Sequence, residues 1–195
     1  MVYVIEHLED LSEWVKLEYA HCSKILGKRN LFFTNVKNPK EKNILKKFGQ
    51  VEEKSATEIF GNEKIIVLDP KAKGQRLTAS DFKKYKNILI GGILGDAVPR
   101  GRTSELLTSK LKNAVPRNIG SYQFSIDGAA FVSRKIQLEQ EKDLGILNQP
   151  EISLSDKHSI ELHYAIPVFK GKPIFTPGLV GWLKKEESWS QREDL

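Results

Sequence analysis

The feature that most constrains this chain is a series of short apolar runs, each followed by a helical segment. Val2 to His7, Asn30 to Val36, Ile65 to Asp69 and Asn87 to Leu94 are strand-sized and rich in β-branched residues, and the last is the most apolar stretch of all. Between them lie segments with helix start and stop signals. Ser12 caps a helix from Glu13 to about Leu26, with Trp14, Leu17, Ala20 or His21 and Ile25 on one face and Gly27 at its end. Pro39 opens a helix running to Phe48, Val51 to Phe60 holds a short strand and a helical turn, and Ser80-Asp81 start another helix. Strands that read as continuous apolar runs, alternating with helices, predict an α/β fold. Its sheet should be largely parallel, with helices on both faces.

The second half changes character. Gly95 to Arg102 reads as a loop dense in Gly, Pro and Arg, followed by a helix from Ser104 to Leu111. Asn118 to Phe124 reads as a strand and Asp127 to Gln140 as a long amphipathic helix. Ile160 to Ile166 and Pro173 to Phe175 suggest a C-terminal hairpin around Lys170-Gly171, and the polar Trp189 to Leu195 tail is expected to fray. No internal repeat or low-complexity linker interrupts the 195 residues, a length that suits one domain, residues 1–195.

Composition excludes several classes. No apolar run approaches the roughly 18 residues of a spanning helix, so no membrane partner is expected, and the N-terminus lacks the basic n-region of a signal peptide. Cys22 is the only cysteine, which rules out an internal disulfide and fits a reducing, cytoplasmic setting. Between His21 and Ser23 on a helix, it reads as a small buried residue, not a nucleophile. His7, His21, His158 and His163 show no ligand spacing, so no metal is expected. The net charge of +6 favours an anionic or ribosomal partner. The same lysines also suit an ordinary solvated surface.

Ligands of open parallel sheets bind beyond the carboxyl ends of strands. Two dense clusters of unusual residues follow strands here, Gly91 through Glu105 and Pro116 through Gly128. Adjacent Gly91 and Gly92 inside a strand give up side-chain packing, which implies close approach of a ligand or of another backbone. Neither a Gly-x-Gly-x-x-Gly fingerprint nor a Gly-Lys-Ser/Thr phosphate loop is present, so ordinary dinucleotide and ATP sites are excluded.

Three blocks resemble a small family of the SPOUT class of methyltransferases. They are Ile5-Glu6-His7-Leu8-Glu9 with Ser12 to Tyr19; Ile90 to Asp96 with Pro99-Arg100-Gly101-Arg102-Thr103-Ser104-Glu105-Leu106; and Arg117-Asn118-Ile119-Gly120 with Gln123, Ser125 and Asp127. The archaeal members of that family are predicted RNA methyltransferases, and its fungal branch methylates an arginine of a small-subunit ribosomal protein. The resemblance implies a deep C-terminal trefoil knot, an exception to the rule against threaded chains, with the knot and cofactor site in about residues 87–140. It also implies S-adenosyl-L-methionine held by three loops: Gly91, Gly92, Ile93, Leu94 and Gly95; Asn118, Ile119 and Gly120; and Gln123, Ser125 and Asp127. Ile93, Leu94 and Ile119 would flank the adenine. Asp96 or Asp127 would face the sulfonium or other polar groups.

The acceptor is the open question at this level. An arginine substrate is a planar cation that calls for carboxylates, for which Glu6, Glu9, Asp96, Glu105 and Asp127 are available. RNA calls for cations and a stacking aromatic, and Arg100, Arg102, Arg117 and Tyr122 would serve. Arg100 and Arg102 equally suit structural bonds to Asp96 or Glu105. The candidate catalytic set is therefore Glu9, Asp96, Arg100, Arg102 and Glu105. His7 suits either a general base or a residue satisfied by Glu9 or by backbone, and Trp14 and Tyr19 read as core. An arginine methyltransferase acting on a ribosomal protein, or on a whole subunit, comes first. An RNA methyltransferase is second, and a non-catalytic ribosome- or RNA-binding protein third. The class commonly forms homodimers through the knot, whereas the N-terminal helix and C-terminal hairpin offer closure of the site within a monomer.

Overall fold

The structure, a computed structural model, describes residues 1–94, 101–156 and 158–193, with side chains to residue 186. Its main sheet has six parallel strands: β1 (Val2–His7), β2 (Leu31–Thr34), β3 (Gln50–Val51), β4 (Ile65–Leu68), β5 (Asn87–Gly92) and β6 (Ala114–Arg117). Their order is β3-β2-β1-β5-β4-β6. The largely parallel α/β sheet is therefore as expected.

Alternation along the strands divides the core into two layers. Tyr3 and Ile5 of β1, Ile66 and Leu68 of β4 and Ile88 and Ile90 of β5 point to one face. There they meet α1 (Glu13–Leu26) and α6 (Ile126–Gln137) through Val15, Tyr19, Cys22, Ala130 and Ile136. Val4, Ile65, Val67 and Leu89 point to the other face. They pack on Ala56 of α3 (Ala56–Ile59), on Phe60, and on Leu107 and Leu111 beyond α5 (Arg102–Leu106). Two further helices, α2 (Pro39–Leu45) and α4 (Ala79–Lys84), complete the crossovers. Ser12 caps α1 by accepting from the Val15 amide, and Ser125 caps α6 by accepting from the Gly128 amide.

Two readings are corrected. The strand placed at Asn118 to Phe124 lies instead at Ala114–Arg117. Pro116, which cannot donate a ladder hydrogen bond, is tolerated because β6 is an edge strand paired only with β4. Asn118 to Phe124 is consequently free to form a loop at the strand's carboxyl end. The tail from Trp189, read as irregular, is instead the last part of α7 (Leu179–Glu193). Leu179 and Leu183 are buried, and the Trp182 ring lies 6.0 Å from Trp14.

Beyond α6 the strands are short and antiparallel. β7 (Leu144–Leu147) and β11 (Lys172–Pro173) flank β10 (Ile166–Phe169), while β8 (Glu151–Ser153) pairs with β9 (Ser159–Glu161). Ile152, Leu162, Tyr164 and Ile166 form a separate apolar cluster against Trp14. Among the described residues, no helix is long and apolar enough to cross a membrane.

Candidate active site

The carboxyl ends of β4, β5 and β6 open onto a cavity of about 350 Å³, large enough for a nucleoside-sized ligand. Its walls come from four segments. Leu68 ends β4 and Asp69, Pro70 and Lys71 follow it, Ile90 and Gly91 belong to β5 with Ile93 and Leu94 just beyond, and Gly101, Arg102 and Thr103 open α5. The fourth runs from Arg117 through Ile126, with Ala129 one helical turn on. Ile90, Ile93, Leu94, Ile119, Phe124 and Ile126 make one part of this wall apolar, as a flat heteroaromatic ring requires. The backbone bends through Ile119 to Tyr122 without joining a strand, and these residues line the cavity.

Adjacent glycines of β5 have different duties. Gly91 lines the cavity, and a Cβ there would come 3.3 Å from Ile93 Cδ1 and Thr103 Oγ1. Gly92 is not on the cavity wall. Any Cβ on it would collide with the Glu6 carbonyl oxygen and the Tyr19 hydroxyl, so its smallness serves the packing of β1 and α1 against β5.

The remaining expected cofactor residues divide the same way. Asn118, Ile119, Gly120, Gln123 and Ser125 line the cavity with Ile93 and Leu94. Asn118 is held by donating to the Ala72 carbonyl (2.6 Å) and accepting from the Gly120 amide (3.1 Å), and Gln123 donates to the His163 carbonyl at 3.2 Å. Asp127 is not on the wall. It is 2% exposed and already engaged by the Ser125 hydroxyl, the Thr176 hydroxyl, its neighbour's amide at Gly128 and His21 Nδ1, at 2.6–2.9 Å.

Among the candidate catalytic residues, Arg102 and Glu9 meet. Arg102 Nη1 donates to Glu9 Oε1 at 2.8 Å, and Nη2 donates to the Leu94 carbonyl at 2.7 Å. The pair is partly exposed and joins the main cavity to a second cleft lined by His7, Leu8, Glu9, Asp10, Asn35 and Glu41, among others. Glu105 is exposed on α5 and absent from both clefts. Glu6 is 2% exposed and accepts from Ser55, Thr34 and the Ala56 amide, which fixes α3 to β1 and leaves the side chain no free edge for a ligand. Gly95, Asp96 and Arg100 lie outside the described residues.

His7 is 6% exposed, with Nδ1 3.1 Å from the Tyr19 hydroxyl and Nε2 3.2 Å from Glu41 Oε2. Its partners are thus Tyr19 and Glu41, not Glu9. Arg117 lines the cavity but is clamped by Asp81 at 2.9–3.1 Å. Burial pushes the Asp81 carboxyl upward, yet the hydrogen bonds from Arg117 and Thr78 outweigh it and hold that group below its usual range.

Sequence reading missed two features. The Leu68–Lys71 turn belongs to the site because β4 neighbours β5, an adjacency that crossing connections hide from linear inspection. Glu18 is the other. It is fully buried, accepts from the Trp14 indole at 2.8 Å and from the Ile126 amide at 2.9 Å, and so ties α1 to the start of α6. Burial, reinforced by nearby Asp127, raises its carboxyl well above the ordinary range.

Residues 2–190 match the family described as protein arginine N-methyltransferase SFM1-like. Protein arginine N-methyltransferase SFM1 of Saccharomyces cerevisiae is 29% identical over 208 residues, 97% of each chain. The crystal structure of the yeast arginine methyltransferase SFM1 complexed with S-adenosylmethionine superposes with a TM-score of 0.83 at 29% identity, over 96% of this chain and 91% of that one. A dual-specific Trm10 from Thermococcus kodakaraensis shares the fold, with a TM-score of 0.55 at 18% identity over 72% of this chain and 95% of that one. The chain belongs to the SFM1-like family of protein arginine N-methyltransferases.

Proposed function

We propose that this chain methylates an arginine side chain of a protein, taking the methyl group from S-adenosylmethionine, with a ribosomal protein as acceptor. The observation that supports this most is the Glu9–Arg102 pair, a carboxylate gripping a guanidinium where the two clefts join.

The walls fit the cofactor's chemistry: an apolar slot for a purine, backbone groups within reach, and a β5 glycine with no Cβ in the way. When bound, S-adenosylmethionine supplies an activated methyl group and its own leaving group, so the protein's task is alignment. Gly91, Ile93, Leu94, Asn118, Ile119, Gly120, Gln123 and Ser125 would hold it, and Gly95 belongs to the same run. Arginine is a poor nucleophile because its guanidinium stays protonated far above neutrality and its lone pairs are delocalised. One carboxylate hydrogen-bonded to it fixes which nitrogen faces the methyl group and receives the proton released as the new C–N bond forms. Glu9 takes that role here, with Arg102 orienting it, and Asp96 and Arg100 remain candidates from the same sequence run.

In this reading residues 1–195 work as one unit in the cytoplasm, and the cofactor loops lie in a trefoil knot over about residues 87–140. RNA fits less well, since Arg102 and Arg117 already hold Glu9 and Asp81 and are not poised for phosphates.

Incubation with tritiated S-adenosylmethionine and ribosomes tests the proposal. Label recovered as methylarginine after acid hydrolysis of protein is the expected result. Label in nuclease-sensitive material would replace the arginine assignment with RNA.

A further inference from the structure

The main cavity is edged by three cations among its described residues, and two have partners. Arg102 holds Glu9 and the Leu94 carbonyl, and Arg117 holds Asp81. Lys71 has no carboxylate partner among the described residues. Its position is nevertheless defined. Buried Asp69 accepts from the Lys71 amide at 2.8 Å and from the Thr108 hydroxyl at 2.7 Å, and Pro70 stiffens the turn between them. On the opposite side the lysine stem lies across Gly101. That residue has φ +72°, and a Cβ on it would overlap Lys71 Cε and Nζ. A side chain at 101 would evict the ammonium from the rim.

We infer that Lys71 binds the carboxylate of the cofactor's amino-acid arm. This rests on the cofactor assignment above. S-adenosylmethionine carries a sulfonium, an ammonium and one carboxylate, so a single cation on the wall answers its only anionic group. An apolar slot for the purine and a cation on the neighbouring β4 turn give the two ends of the ligand separate anchors. Charge-assisted contacts of this kind discriminate strongly between ligands with and without the charged group.

The test compares two ligands by calorimetry on the full-length protein. S-adenosylhomocysteine has the amino-acid arm, and 5′-methylthioadenosine has the same nucleoside without it. Lys71→Ala should weaken S-adenosylhomocysteine by roughly tenfold to a hundredfold and leave 5′-methylthioadenosine within about twofold. Lys71→Arg should recover much of the loss. Equal weakening of both ligands, or no change in either, would overturn the assignment while leaving the cofactor site intact. Wild-type protein that binds neither ligand would overturn the cofactor site and the lysine's role together. Lys71 is exposed, so the variants should fold, and an unchanged thermal midpoint verifies it.

Discussion

The rim of the cavity and the packed layer behind its wall, the floor on which the wall rests, both carry acids, and they are built on opposite terms. On the floor, Asp127 and Glu18 are buried and fully engaged, joining α1, α6 and the Thr176 segment. At the rim, Glu9 and Arg102 are respectively 24% and 31% exposed and face open clefts. A buried carboxyl group with both oxygens engaged holds the scaffold. One with an exposed edge is available to a substrate. Residue type alone does not separate these roles; burial and partner count do.

The largest effect should come from attacking the floor. Asp127→Ala leaves His21, Ser125 and Thr176 without their shared acceptor and should cost about 3–5 kcal/mol in urea denaturation. A loss below about 1 kcal/mol would mean that the floor is not a cooperative unit. At the rim the pattern should invert. Glu9→Ala should lose less than about 1 kcal/mol of stability, because partly exposed pairs are weak, yet methyl transfer should fall roughly a hundredfold through misaligned acceptor. Retained activity would remove Glu9 from the reaction.

The paired glycines sharpen the contrast within a single strand. Gly92→Ala drives a Cβ into the Glu6 carbonyl and should cost about 1–3 kcal/mol. Gly91→Ala should be milder in stability and show itself as weaker cofactor binding in calorimetry, because its methyl points into the cavity. Equal effects from both would erase the distinction.

A smaller effect should appear in pH dependence. Glu18 is raised in the folded protein, so folding takes up a proton there once the unfolded chain has ionised. Its contribution is complete below the ordinary glutamate value and declines as pH rises toward the folded value. Glu18→Gln should flatten that decline in thermal midpoints from about pH 5 upward. Asp127, His21, Tyr19, Tyr164, Cys22 and Glu9 form the charge environment around Glu18.

How much of this was legible in the sequence follows from the same physics. Strands β1, β4 and β5 are buried on both faces, so their apolar runs announced them nearly to the residue. Strand β6 is Ala-Val-Pro-Arg at a sheet edge, where partial exposure and a proline conceal the pattern, so the sequence places the strand in the loop after it. Ile93, Ile119 and Gly120 are expected at the cofactor through the family resemblance, whereas the dense clusters that contain them signal by themselves only a pair of ligand-binding loops. Lys71 and Glu18 are not legible, since one depends on which strands are neighbours and the other on a hydrogen bond across 108 residues. Nothing in Asp127 itself signals that its oxygens are already taken.

The central position of β1 has a consequence for synthesis on the ribosome. One of its edges pairs with β2, but the other waits for β5, whose Asn87 registers with Val2. At roughly 5–20 residues per second, the roughly 85 residues between them take about 4–17 s to emerge. Throughout that interval an apolar strand edge stands open to any other extended chain. Slowing translation before Asn87 should therefore raise aggregation of nascent chains more than the same delay placed after Gly92.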